Sequence, residues 1–554
     1  MKKYIYLLIF SLGCVSFLLP NRYYPWQSAH HESSMFLVFL LVFFILLIKA
    51  KQLVLDKRMV GVFLISCIPL LQYILGQIYF FGDALIASLY IFGFASAIVL
   101  GFNLTKYNNK KKILKFISLL LIFSALISIY MILQQWLMLT YGSLWIIDVS
   151  NNRPFANFAQ PNNCATFLIL SLMATLYLYE ENVLNSISGV ILGVLLLFCV
   201  ALTQSRSPWI FSICFIVWWY WKAKDFKTRL NKHSILYFIG IYSLFIYILP
   251  KASTAIGVIG GTGLVERATT GYLRIPMWQQ LLLALKQEPL WGYGWNQVSV
   301  AQITAFSKYP TTEWTEHSHN ILLDLLIWNG LPLGLLIIGF FVWWFFVLSK
   351  LAVNSENFIA LAMIGVVLNH GLLEFPLEYA TFLLPIGFLF GFVYADALNI
   401  KLVELSRKVT IPIFTCSVIL FVGVFIEYCI MEKETRLVRA EILNIGKSEV
   451  TQAVPEIFLL TQLRERIRYL RTEPKENMTD EQLLWMKKVT YRYATPNNLY
   501  KYAQALLLNN QKDKAKYYMD VLNELYGKNI DFQSLYNIHK SNAYQWNKPK
   551  VKSE

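Results

Sequence analysis

The sequence predicts an all-α fold: a polytopic helical membrane protein of about 12–13 transmembrane helices, followed by a smaller helical domain. Three observations lead there. The 554 residues are 56% hydrophobic and only 15% charged, whereas soluble chains are roughly half apolar and a quarter charged. The apolar residues gather in blocks close to the ~20 residues needed to cross a bilayer, for example 35–48, 117–139, 186–202 and 411–430. The excess positive charge, +16 overall, concentrates in every second short connection between blocks, which is how cytoplasmic loops read.

Taken in order, residues 1–20 combine a basic start with an apolar stretch. They lack a small-x-small cleavage site before Asn21 and precede many further spans, so they read as a retained first helix. Lys2 and Lys3 put the N-terminus in the cytoplasm. Alternation then places four basic clusters on that side: 49–58, 106–115, 222–232 and 401–408. Connections around 21–34, 139–163, 203–207, 251–329 and 374–379 fall outside, as does everything after Ile430. Positive charge distributed this way reports topology and not nucleic-acid binding. The seven cysteines lie in or beside apolar blocks, so they read as small core residues and not as a disulfide or zinc framework.

The division expected is a transmembrane domain, 1–430, with a large outer loop at about 251–329, and a helical domain, 431–554, on the outer side. Within the loop, residues 274–286 carry Ile275, Trp278, Leu281, Leu282 and Leu285 at helical spacing. Ser318 is placed to cap a short helix, 320–328, ahead of the turn Asn329-Gly330-Leu331-Pro332. That piece is too short to span and should lie at the interface. In the tail, 497–527 reads as two amphipathic helices, with Ala503, Ala505 and Ala515 allowing close pairing, like one tetratricopeptide-type unit.

Polar residues with chemical potential collect on the outer side. The stretch 151–167 holds Arg153, Asn157, Gln160, Asn162 and Asn163. Arg206 sits between two spans. Arg267, Arg274, His317 and His319 lie in the long loop, and 369–379 contributes His370, Glu374 and Glu378. An ion at a membrane edge is costly enough to suggest function. Guanidinium is permanently charged and takes phosphate oxygens bidentately, so Arg206 and Arg274 are candidates to clamp a diphosphate. His319 is the preferred general base, since neutral imidazole accepts a proton near pH 7. His317 and Glu316 are candidates to tune it, and Asn320 and Glu374 join the substrate-binding set. A metal is disfavoured: histidines two apart on a helix point about 200° apart, and no cysteine or third histidine lies nearby. A transporter, which places charges near mid-membrane in repeated halves, and a docking scaffold built on the tail are alternatives.

The stretch His317-Ser318-His319-Asn320 through Gly334 resembles the signature loop of the O-antigen ligase superfamily. Arg153 to Phe167 resembles the Asn-Pro-Asn-type outer loop of the bacterial protein O-oligosaccharyltransferases, the pilin-glycosylating branch, with Gln160 where many relatives carry Asn. Residues 369–387, with His370 and Glu374-Phe375-Pro376, resemble a further segment of that branch. The likeness covers roughly residues 151–391. It implies a GT-C-like enzyme of the bacterial inner membrane, with its site facing the periplasm. Such an enzyme moves a preassembled glycan from undecaprenyl diphosphate to a Ser or Thr hydroxyl of a periplasmic protein such as pilin, with neither metal nor nucleotide cofactor. The essential histidine maps onto His319, and the family's outer arginines onto Arg206 and Arg274. An O-antigen ligase or polysaccharide polymerase, with a glycan acceptor, is the alternative reading.

Overall fold

The structure is a computed structural model and describes residues 2–149, 152–260, 274–398, 400–443, 445 and 453–536. Arg267 lies outside the described residues. Among them, nine helices are long and apolar enough to cross a membrane. Four shorter helices complete the alternation, at the upper end of the expected range. In chain order the membrane helices begin with α1 (Lys2–Leu18) and α2 (Ala29–Lys49), then the broken pair α3 (Lys57–Ser66) and α4 (Ile68–Ile74), which together make one crossing. They continue with α5 (Phe81–Tyr107), α6 (Lys110–Trp136), α7 (Pro161–Glu180), α8 (Ser186–Thr203), α9 (Ser207–Lys222) and α10 (Ser234–Ala255). Two loop helices, α11 (Arg274–Gln287) and α12 (Val298–Ala305), precede α13 (Ile321–Ser349), α14 (Ser355–Gly371), α15 (Ala380–Tyr394) and α16 (Arg407–Leu443).

Contacts between distant connections confirm which ends share a face. On one face Lys110 Nζ lies 2.7 Å from Asp396 Oδ2, and Lys111 Nζ 3.0 Å from Glu181 Oε2. The same face carries a feature absent from the sequence expectation: strands β1 (Gln52–Asp56) and β2 (Leu402–Ser406) pair antiparallel, Gln52 opposite Ser406. On the other face Arg22 donates to the Asn157 carbonyl at 3.0 Å, and His30 meets Glu432 at 2.9 Å. The expected topology therefore holds as an alternation.

The bundle's closest crossing joins α5 to α15. A Cβ at Gly101 would strike the Phe388 carbonyl, and one at Gly391 the Ile98 carbonyl. Apolar helices in lipid gain little from the hydrophobic effect against each other, so packing of this closeness, made possible by small residues, supplies the attraction.

Helix α16 runs unbroken for 37 residues, through Ile430. Beyond it come α17 (Thr461–Arg471), α18 (Asp480–Arg492), α19 (Pro496–Leu508) and α20 (Lys512–Tyr526). Thr479 starts α18 with a reciprocal capping box to Gln482. As expected, α19 and α20 pair, and Ala503, Ala505 and Ala515 are fully buried. This core is not self-contained: Phe80 from before α5, and Ile303 and Phe306 from the α12 region, are buried within it.

Candidate functional site

The site forms where the loop before α13 meets the connection between α14 and α15. Helix α11 forms over the stretch its periodicity suggests, and buries Met277, Leu281 and Leu285. The short helix expected at 320–328 forms as the first part of α13, with two corrections. Its cap is Asn320 and not Ser318: the Asn320 side chain accepts from the amides of Leu322 at 3.0 Å and Leu323 at 3.2 Å. Its end is a break at Gly330, where φ is 73° and ψ 176°. A side chain there would strike the Leu290 carbonyl, and the left-handed φ suits glycine. The turn after α11 docks on that break, with Leu331 N–H donating to Pro289 O at 2.7 Å and Tyr293 N–H to Ile327 O at 2.8 Å.

The loop that results carries His319 at φ 56°. A left-handed non-glycine residue costs about 1–2 kcal/mol, so surrounding bonds must hold it. Trp278 Nε1 donates to Ser318 O at 2.7 Å, Ser318 N–H to Asp324 Oδ1 at 2.8 Å, and Asn320 Nδ2 to Leu372 O at 3.1 Å. His319 Nδ1 then lies 2.7 Å from Glu374 Oε2. A carboxylate can only accept, so Nδ1 carries the proton and Nε2 is left as the basic nitrogen.

Glu374 is buried and held by three partners. Besides His319, Asn162 Nδ2 donates to its Oε1 at 3.1 Å and Arg274 pairs with the same oxygen. Burial alone would raise its proton affinity, but the His319 hydrogen bond and the Arg274 charge outweigh that and keep the carboxyl below its usual range. Arg153 extends the chain, with Nη2 3.2 Å from Asn162 Oδ1 and Nε donating to Thr203 O at 2.9 Å.

Two residues along, His317 makes a parallel arrangement. Its Nδ1 is 2.8 Å from Glu378 Oε1, close enough for an ion pair although out of line for a hydrogen bond. Burial pushes its pKa down, but Glu378 outweighs this and raises it to about 9. The Phe375 ring stacks on His317 at 4.6 Å and meets His319 edge-on at 5.3 Å, holding the two imidazoles apart. Asp324 joins His317 and Glu378, their ligand atoms within 4.8 Å of one another. The disfavoured metal reading considered the two histidines together; the structure separates them and groups His317 with carboxylates instead.

The sequence-expected residues thus divide. His319, Glu374, Arg274, Asn162 and Arg153 form one chain of contacts, with His317 beside it. Arg206 is exposed at the start of α9, with no hydrogen-bond or ion-pair partner for its guanidinium among the described residues. It stands at the rim of that chain: Thr203 receives the Arg153 bond, and Asn369 Nδ2 donates to Ser207 O at 3.0 Å. Asn157 is elsewhere. It is fully buried and bonds the Leu18 and Trp145 carbonyls at 2.7 and 2.8 Å and the Ile147 amide at 3.1 Å, which makes it a brace for its own loop. Gln160 is half-buried at the cap of α7, its carbonyl accepting from Cys164 N–H at 3.2 Å. Asn320 is a cap and a tether. Sequence reasoning did not single out Phe375 or Asp324; an aromatic between Glu374 and Pro376 is the one local hint of the former.

Three family models and two named relatives match the chain. Residues 191–338, which include the histidine loop, match the O-antigen ligase family model, and residues 154–179 match that of the protein glycosylation ligases. Residues 358–537 match the C-terminal model of the virulence factor membrane-bound polymerases. A general O-oligosaccharyltransferase of Acinetobacter baylyi is 33% identical over 553 residues, 98% of this chain and 96% of the relative. A ComP-specific O-oligosaccharyltransferase of the same organism is 28% identical over 498 residues, 89% of this chain and 90% of the relative. With its membrane bundle and a relative this similar along nearly its whole length, the chain belongs to the bacterial O-oligosaccharyltransferases of the O-antigen ligase superfamily.

Proposed function

We propose that the protein transfers a preassembled glycan en bloc from undecaprenyl diphosphate to a Ser or Thr hydroxyl of an exported protein, pilin-like acceptors included. It does so at the periplasmic face of the inner membrane. The observation that carries the reading is the His319–Glu374 pair, set at the ends of the spans beside two arginines. Glu374 holds the Nδ1 proton, so His319 Nε2 takes the proton from the acceptor hydroxyl as its oxygen bonds to the anomeric carbon. The bond from that carbon to the diphosphate oxygen breaks, and the diphosphate leaves as an anion. Positioned base catalysis contributes ~10²–10⁴ in rate. Arg206, with no partner for its guanidinium among the described residues, and Arg274, partly committed to Glu374, lie where the leaving charge develops; fixed donors to such charge are worth roughly 3–4 kcal/mol each in comparable sites.

Arg153 and Asn162 orient Glu374, while Asn157, Gln160 and Asn320 keep the two loops in shape. The polyprenyl chain stays among the spans throughout. The division into a membrane domain, 1–430, and an outer helical domain, 431–554, fits this reading, with the tail standing where a folded acceptor arrives. The test supplies cells with a lipid-linked glycan and a candidate pilin and reads intact acceptor mass for wild type and His319→Ala. A sugar-sized gain lost in the variant is the expected result. No gain with wild type, together with newly capped or longer surface polysaccharide, would reassign the protein to glycan acceptors.

A further inference from the structure

The tail makes a charged contact with the membrane domain at the histidine loop itself. Arg492, the last residue of α18, is 12% exposed and grips two acids at once. Its Nε and Nη2 donate to the two carboxylate oxygens of Asp83 at 3.2 Å each, and its Nη1 to Glu316 Oε1 at 3.1 Å. Asp83 is buried in the first turn of α5. Glu316 immediately precedes His317. The two ends of the guanidinium therefore join a membrane helix to the loop that carries both histidines. A planar fork of fixed donors is suited to such a bridge, and a lysine is not.

A second, independent thread runs alongside. Trp314 Nε1 donates to Ser299 Oγ at 2.7 Å, and Ser299 Oγ donates to the Tyr491 carbonyl at 2.7 Å. Gln302 on α12 takes the Thr315 amide at 3.0 Å and reaches the Glu313 carbonyl at 2.8 Å. Loop residues 313–316 are thus gripped from α12 and α18, while 318–320 are gripped from α11, α13 and the 372–374 segment.

We infer that Arg492 is a positioning residue for glycan transfer: through Glu316 the outer helical domain sets the placement of the His317–His319 loop, so the tail is a working part of the catalytic site and not only a docking platform. This rests on the function proposed above. It follows that the tail influences turnover itself, and that an acceptor resting on α18 bears on the loop holding the base.

The experiment uses full-length protein in lipid nanodiscs, with lipid-linked glycan and an acceptor that the wild type glycosylates. Glu316→Ala severs only the loop branch and leaves the Arg492–Asp83 anchor, so it keeps the proposal falsifiable if Arg492→Ala fails to fold. Both variants should lower kcat about tenfold, with acceptor KM changed less than twofold. Arg492→Lys should recover only part of the loss. Without substrate, hydrogen exchange across 313–320 should quicken in both variants, while that of α19 and α20 stays as in wild type. Wild-type kcat and wild-type exchange in Glu316→Ala would overturn the inference, as would a loss confined to acceptor KM. If wild type glycosylates no acceptor, the functional proposal fails instead, and the exchange measurement still decides whether Arg492 orders the loop.

Discussion

His317 and His319 stand two residues apart, and each faces a glutamate, the glutamates themselves four apart. His317 is stacked flat on Phe375, paired with Glu378 near Asp324, and its pKa is raised to about 9. It is charged at neutral pH and cannot accept a further proton. His319 sits in the left-handed region and shares Glu374 with Arg274 and Asn162. Its Nδ1 is bonded to Glu374, which leaves Nε2 as the nitrogen not used in that pair. On the proposed function, the same side chain is a cation on one side of an aromatic ring and a base on the other. The difference comes from the neighbours: carboxylates with no arginine beside them fix a positive imidazole at His317, whereas the carboxylate facing His319 is shared with an arginine.

This contrast can be broken at several points. Removing His319 should have the largest effect, a loss of at least about 10² in kcat if it is the base, with the melting temperature little changed. His317→Ala should lose several-fold less, and equal losses in the two variants would erase the distinction. Glu374→Gln comes next. It keeps the shape but offers one acceptor oxygen where His319, Asn162 and Arg274 use two, and removes the charge facing Arg274, so turnover should fall about tenfold or more, and acceptor mass spectrometry over time measures it.

Glu378→Gln tests the other half and should act on stability and its pH dependence. A histidine whose folded pKa lies above its unfolded value contributes stability that is complete below about pH 6.5. That contribution is lost as pH rises through the folded value of about 9. Wild-type melting temperature should therefore decline between pH 7 and 9.5, and the variant should decline less. Parallel curves would show that the pair contributes nothing. The smallest effect is expected for Asn320→Ala, about 1 kcal/mol from the lost cap, read as a modest drop in melting temperature with partial loss of transfer.

Much of this was legible in the sequence because the signals were local. Spans announce themselves by twenty apolar residues, and α11 by its helical period. The histidine loop stood out because two of the chain's seven histidines fall in it. What stayed hidden depends on partners far along the chain. The β1–β2 ribbon joins five-residue runs separated by nearly the whole membrane domain, and neither run carries a turn signal. Asn157 and Asn162 look alike in the outer loop, yet one braces a turn and the other reaches Glu374. Ser318 and Asn320 are both good caps by type; only the backbone path tells which amides each can reach. Arg492 lies 409 residues from Asp83, and no spacing rule connects them.

The break at Gly330 fixes a depth. The nine residues before it rise only about 13 Å at 1.5 Å each, less than half of a ~30 Å hydrocarbon layer, so that piece does not itself cross a bilayer and keeps the histidines within that distance of the break. On the proposed function, the donor's diphosphate cannot climb away from the headgroups without pulling its own tail from the lipid. On the proposed function, transfer is therefore confined to a thin layer at the bilayer surface, and an acceptor has to lower its hydroxyl into it past α18. A Ser or Thr on a flexible end or a protruding loop meets that demand, and one in the middle of a rigid strand does not. Proximity to the membrane would then select the modified residue as strictly as any sequence around it.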